Sequence, residues 1–370
     1  MKKKILLIIL IVFIIIGTIA VINIRYLIPI KLNKQWSTPK ITKEEELTIN
    51  FLNNKMTDSK NGIYTNYIDQ PSSKDITKGH AVLSESEGLI MLYAVEQGDK
   101  ELFDRHCNIV MNQMLLKSNS VAWRIDHGTL AETSATIDDF RIIKALIYGY
   151  DRWKEFNYRK YAIKISDSIL KNNITSKLPV DFKDSYGKSK TVTICYLDVN
   201  TMGILKSIDR RWKDKYNESK QLISKAYISN NLPLYKNTYD VSKQGFIEQK
   251  DADTLLSLIT SLYLKQDGED ITTTVKWVKE RLVADGALYA MYDINTGKPS
   301  TDIRSTAIYS VAAMIAKDVG DTELYDILIK KLLEFQEVDK SNEIYGAFGN
   351  AETKEVYSFD NLNAIIAMQK

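Results

Sequence analysis

Residues 136–173 read TIDDFRIIKALIYGYDRWKEFNYRKYAIKISDSILKNN, and the spacing of their apolar side chains decides the fold. Ile142, Ile143, Leu146, Ile147 and Tyr150 recur at helical intervals, the stripe of one buried helix face over 136–154. The pattern resumes over 156–173, so two helices are joined by a tight turn. The same periodicity predicts helices over 41–56, 84–97, 99–116, 195–207, 211–229, 251–265, 270–284, 303–318, 320–337 and 358–369. Connections alternate between short polar turns, such as Gln97-Gly98-Asp99 and Gln266-Asp267-Gly268-Glu269, and long loops over 57–83, 117–135, 174–194, 230–250, 285–302 and 338–357. Loops this long inside a domain are usually functional. Six helical hairpins side by side close into a ring, an all-α (α/α)6 barrel, with the long loops gathered at one end.

Composition agrees with a helical globular chain. Of 370 residues 44% are apolar and 26% charged, with only 16 glycines and 6 prolines. These values exclude a disordered chain and a polytopic membrane protein. Two cysteines, Cys107 and Cys195, exclude a disulfide scaffold; they read as isolated buried thiols, with a pair formed outside the cell as the alternative. Three unpaired histidines leave no metal site, and no organic cofactor is expected.

Residues 5–24, ILLIILIVFIIIGTIAVINI, carry no charge and suffice to span roughly 30 Å of hydrocarbon as a helix. They follow Lys2, Lys3 and Lys4, which orient the amino terminus to the cytoplasm. The expectation is an uncleaved transmembrane signal anchor over 1–24, a linker over 25–40 and an extracellular barrel over 41–370. Beyond residue 24 the chain carries 47 basic and 47 acidic residues. With no basic stripe, nucleic acid is excluded as a partner.

Glu85, Asp139, Asp198, Asp253, Asp302 and Asp360 each lie near the start of the first helix of a pair, at spacings of 54, 59, 55, 49 and 58 residues. Acids in a first helical turn serve capping and the helix dipole. Converging at one barrel mouth with aromatic side chains, they also make a sugar cleft. A glycosidic bond is cut between two carboxyl groups, one protonated and one ionised.

Two stretches carry a family resemblance. Leu83-Ser84-Glu85-Ser86-Glu87-Gly88-Leu89-Ile90-Met91 resembles the Ser-Glu-Gly-Gln-Gly-Tyr-Gly-Met motif of glycoside hydrolase family 8. Ala135-Thr136-Ile137-Asp138-Asp139, leading to Trp153, resembles its Ala-Ser/Thr-Asp-Ala/Gly-Asp motif. Glu87 and Ile137 depart from the pattern, as does Gly88-Leu89-Ile90. The looser match is similar to the membrane-linked branch associated with exopolysaccharide synthesis.

The resemblance implies Glu85 as general acid and Asp139 as a sugar ligand beside the scissile bond. Ser300-Thr301-Asp302-Ile303-Arg304 is nearest to the family's base motif, which implies Asp302 as base with Arg304 beside it. Asp253 and Asp198 are the other candidates. The family places a stacking aromatic where Trp123 lies; Tyr196, beside Asp198, and Tyr64 are further candidates, with core packing as the alternative for each. For Glu85 and Glu87 the alternative is a Ser84-x-x-Glu87 capping box. For Asp302 it is the N-cap of helix 303–318.

The implied activity is endo-acting, inverting hydrolysis of β-linkages in a secreted polysaccharide, by a membrane-held enzyme whose neighbour would be an exopolysaccharide synthase complex. The rivals are an inactive polysaccharide-binding or assembly protein and a polysaccharide lyase on the same barrel.

Overall fold

A computed structural model describes residues 24–32, 34–71 and 79–369. Twelve helices dominate them: α1 Lys43–Lys55, α2 Ser84–Gln97, α3 Lys100–Ile109, α4 Thr136–Trp153, α5 Phe156–Asn172, α6 Val199–Ile208, α7 Lys213–Ala226, α8 Thr254–Gln266, α9 Thr272–Ala284, α10 Thr306–Val319, α11 Thr322–Leu333 and α12 Ser358–Met368. A π-helical turn, Val110–Met114, prolongs α3. The even-numbered helices form the inner ring, each against the next, with α12 returning to α2. The odd-numbered helices cover them. Five hairpins are consecutive in sequence. The sixth joins the two ends of the fold, α1 against α12.

Burial divides the layers as the hydrophobic pattern requires. α4 buries residues on nearly every side, including the charged Asp138, Asp139, Arg141 and Lys144. α7 buries only Ser219, Leu222, Ile223 and Ala226. The predicted starts of α6, α8 and α10 were early by three or four residues. Asp198 caps α6 through Thr201 N. Asp253 closes a strand before capping α8. Ser305 rather than Asp302 caps α10, its side chain accepting from Ile308 N.

The long loops build short antiparallel ladders at one end of the barrel. β1 (Val82–Leu83) pairs with β2 (Arg124–Asp126), which pairs with β3 (Thr129–Leu130). β4 (Ile174–Thr175) pairs with β5 (Leu178–Pro179). β6 (Thr191–Thr193), β7 (Thr238–Asp240) and β8 (Gly245–Phe246) form a second three-stranded sheet. β9 (Asp251–Asp253) pairs with β10 (Met291–Asp293).

The expected transmembrane helix falls on residues outside those described, apart from Ile24. Among the described residues no helix is long and apolar enough to cross a membrane. The described residues of 25–40, expected as a linker, do not hang free. They form a strap bound to the turn end of the barrel, because charges on the helices satisfy its backbone. Arg159 donates to the carbonyls of Arg25 and Ile28, both at 2.5 Å. Arg25 pairs with Asp167, Nη2 to Oδ2 at 2.7 Å. Trp36 Nε1 donates to Asp151 at 2.7 Å. Arg152 Nη1 donates to the carbonyls of Ser37, Val95 and Glu96, each at 2.9 Å. The last two are carbonyls at the C-terminus of α2, whose Gly98 (φ 78°) leaves space for the guanidinium. A Cβ there would meet Arg152 Nη2 at 2.2 Å.

Arg152→Ala is therefore expected to lower stability by about 2 kcal/mol, as one charged donor leaves several acceptors unmet. Thermal unfolding measures it. An unchanged midpoint would show that the strap is not held there.

Candidate active site

β1 delivers the chain into α2, and β2 fixes where α2 starts. Ser84 N donates to Trp123 O at 3.0 Å. Ser84 Oγ donates to Asp138 Oδ2 at 2.7 Å, so the capping box expected from Ser84 and Glu87 does not form. Glu87 is fully buried instead, accepting from Ile63 N at 3.0 Å and lying 2.7 Å from His106 Nδ1. That pair holds the loop over 57–63 against α2 and α3. Glu87 and His106 are accordingly framework residues.

One residue from Ser84, the half-buried Glu85 faces the barrel mouth. Its neighbours are Arg141, Asp138 and Asp360, drawn from α4 and α12. Burial pushes its carboxyl up to about 7, Asp138 and Asp360 push the same way, and Arg141 opposes them. This combination lets the carboxyl keep its proton well above the usual carboxylate range. Asp138 is nearly buried and accepts from Arg141 Nη1 at 2.6 Å. Gly88 admits this arginine: a Cβ would stand 3.2 Å from Arg141 Cγ and Cδ. Gly88→Ala should displace the guanidinium by a few tenths of an ångström and lower kcat severalfold with the fold intact. Steady-state rates beside a melting curve check this.

Asp360 is half-buried and accepts from Ala307 N at 3.0 Å, tying α12 to the start of α10. Burial pushes its carboxyl up to about 6. Tyr196 is half-buried near Asp138 and Glu85, its hydroxyl pushed up mainly by burial. Trp123 is half-buried, with the Arg124 guanidinium 4.7 Å from its ring centroid. Tyr64 bridges to Val82 and stacks on His80, with centroids 4.0 Å apart and planes 10° apart. Trp123 and Tyr64 thus belong to the ladder that leads into Glu85, and Tyr196 comes near Glu85 from the loop before α6.

Four expected site residues are placed otherwise. Asp139 has no exposed surface. It accepts from Val121 N at 3.1 Å, and its other oxygen is enclosed without a partner. Burial pushes it well above the usual carboxylate range. It supports the loop below Trp123 and cannot touch a sugar; its neighbour Asp138 is the acid that faces Glu85. Asp198 is also buried, its oxygens engaged by Thr201 N at 2.9 Å, Thr201 Oγ1 at 2.7 Å and Lys144 Nζ at 2.9 Å. It has no free edge for substrate. Asp302 is exposed on the loop before α10. Arg304 turns away from it to Glu334 at 3.2 Å, with Phe335 below its guanidinium.

Asp253 is half-buried, caps α8 through Leu256 N at 2.9 Å, and is pushed up by burial. Two residues earlier, half-buried Asp251 has one oxygen, Oδ1, enclosed without a partner. Cys107 and Cys195 are buried and unpaired. Among the described residues no group of three or more His, Cys, Asp or Glu side chains could hold a metal ion.

Comparison with known proteins fits this geometry. The model of glycosyl hydrolases family 8 matches residues 52–188, the stretch holding Glu85, Trp123 and Asp138. A solved structure described as a novel alpha-amylase from Clostridium perfringens is 44% identical, over 88% of this chain and 96% of that one, with a TM-score of 0.84. The chain belongs to glycoside hydrolase family 8. A putative lipoprotein of Bacillus subtilis, YdaJ, is 24% identical over 322 residues, 86% of this chain and 85% of its own length. Endoglucanase Cel10 of Klebsiella pneumoniae, at 14% identity, covers 86% of this chain and 97% of its own with a TM-score of 0.61. It shares the fold.

The protein is thus a glycoside hydrolase on an (α/α)6 barrel. Within the family 8 frame, sequence reasoning missed Asp138 and gave Asp360 no role. Both had a signal. Asp138 and Arg141 are three residues apart on one helix face. Asp139 shares its face with Ile142, Ile143 and Leu146, the stripe that reads as core.

Proposed function

We propose that this family 8 hydrolase cuts internal bonds of a polysaccharide outside the cell, held at the membrane by residues 5–24, and inverts the anomeric carbon. The observation that carries the reading is Glu85: half-buried at the start of α2 where the long loops gather, its carboxyl pushed up to about 7 mainly by burial, with Tyr196 near it and Trp123 on the adjoining ladder. In this reading Glu85 gives its proton to the leaving glycosidic oxygen. Trp123 and Tyr196 present flat faces to the rings beside that bond. The Asp138–Arg141 pair, fixed below, holds the charge balance around Glu85.

Inversion requires a second carboxylate across the cleft, with space for a water between. In a ring of six inner helices the one opposite α2 is α8. Its leading strand β9 carries Asp251 and Asp253. Asp253 is engaged as a cap; Asp251 has its Oδ1 enclosed, and its Oδ2, which no described residue engages, is the oxygen left to meet a water. We therefore assign the base first to Asp251. Asp302, on the loop before the next inner helix, is the second reading, favoured by its exposure.

Two linkages have support. The motif resemblance supports a β-linked exopolysaccharide. The 44% identical relative, described as an α-amylase, supports an α-linked glucan, and that is the first substrate to offer. The test incubates the protein with α-glucans, β-glucans and bacterial exopolysaccharides, beside Glu85→Gln, Asp251→Asn and Asp302→Asn, and counts new reducing ends. Release by wild type alone on one polymer class supports hydrolysis and names the linkage. Unchanged activity in Asp251→Asn with loss in Asp302→Asn moves the base to Asp302. Retention of a polymer without new ends favours the binding-protein rival. Products with an unsaturated end, absorbing in the ultraviolet, favour the lyase.

A further inference from the structure

The strap begins on an apolar patch that its own chemistry leaves open. Ile24 and Leu27 are 51% and 75% exposed, and Phe156, the first residue of α5, is 41% exposed. Tyr26 lies 6.5 Å from the Phe156 ring. Tyr26, Leu27, Phe156 and Tyr161 line an open groove of about 500 Å³ rimmed by Lys160 and Lys164. Neither lysine pairs with a carboxylate among the described residues; Lys160 Nζ lies 5.1 Å from the Phe156 centroid. The nearby Asp167 is already engaged by Arg25 and Arg211.

Aromatic rings with long basic side chains around an apolar centre suit the headgroup region of a bilayer, where rings sit at the interface and ammonium groups reach anionic lipid. The chain supplies the bilayer: the uncharged run 5–24 ends where the patch starts. We propose that this patch rests on the outer leaflet of the membrane that holds residues 5–24, and so sets the orientation of the barrel. The inference relies on the anchor reading above. α5 rises from the turn end, so its first residues are at the end opposite the loops. α4 alone, at 18 residues, separates the two ends by about 27 Å. Contact at the patch turns the Glu85 cleft away from lipid, toward polymer outside.

The full chain, reconstituted in phosphatidylcholine–phosphatidylglycerol vesicles, tests this. A single bimane label goes on Leu27→Cys or, as control, on Tyr186→Cys, a loop-end residue 97% exposed; the native thiols are buried. Spin-labelled headgroups should quench the Leu27 label severalfold more than the Tyr186 label. Lys160→Glu with Lys164→Glu should cut that quenching at least by half and leave hydrolysis of a soluble oligosaccharide unchanged. Equal quenching at the two sites, in a chain that resists alkaline carbonate, overturns the docking while the anchor stands. Release by carbonate overturns the anchor and the docking with it. Shielding of Leu27 that disappears on dilution in detergent assigns the patch to a second copy and also overturns the proposal.

Discussion

Glu85→Gln is expected to lower the rate of hydrolysis by about 10²–10⁴-fold, the usual contribution of a positioned general acid. It should also leave a protein more stable to heat at neutral pH than wild type. The two effects share one cause. Burial and the carboxylates of Asp138 and Asp360 raise the Glu85 pKa from 4.5 to about 7. A carboxyl raised on folding is easier to ionise in the unfolded chain. Its contribution therefore turns against the folded state as pH climbs through 4.5, and stops growing near 7. Glutamine carries the hydrogen-bonding shape without that charge. The melting difference between variant and wild type should be small near pH 4, widen to about pH 7, and then level. Wild-type activity should fall along a basic limb near pH 7, as the acid loses its proton. A variant with full activity, or a melting difference flat across this range, would remove Glu85 from its role.

Arg141→Met is expected to destabilise the fold by about 3–5 kcal/mol, the usual loss when one partner of a buried ion pair is removed. Arg141 is 5% exposed and donates to Asp138 at 2.6 Å. Without it Asp138 is a buried carboxylate supported only by Ser84. The change also moves the activity profile. Arg141 holds the Glu85 pKa down, so its loss shifts the basic limb to higher pH. Asp138→Asn carries the opposite sign at Glu85: Asp138 raises that pKa, so its loss shifts the limb to lower pH. Shifts of opposite direction in two variants that both lose stability separate electrostatics from simple damage. Denaturant melts and pH–rate profiles on both variants decide it. Shifts in the same direction would contradict the arrangement described here.

The acids differ in how legible they were. Six carboxylates at a period near the hairpin length were visible in the sequence, and all but Asp302 do sit at helix starts. Their directions were not visible. Asp138 and Asp139 are adjacent, yet successive residues on a helix point about 100° apart. One meets Arg141 at the mouth, and the other disappears under Val121. Asp198 and Asp253 follow the capping preference of short acids, and Asp198 thereby loses its claim to sugar. Asp302 looked like a cap and is not one, because Ser305 lies closer to the first turn of α10.

Periodicity, turn lengths and the Ser84-Glu85 and Asp138-Asp139 motifs were enough to determine twelve helices, five of their hairpins, the ring and the family resemblance. They depend on near neighbours in the chain, and helical burial repeats every few residues. Only the tertiary structure decided which carboxylates meet at the mouth, that α1 completes the ring against α12, and that the described residues of 25–40 are bound rather than free. Each of those depends on groups far apart in sequence: Arg159 on the carbonyls of Arg25 and Ile28, Ala307 on Asp360, Ser84 on Asp138. A contact across a closed ring leaves no local period by which a linear reading can find it.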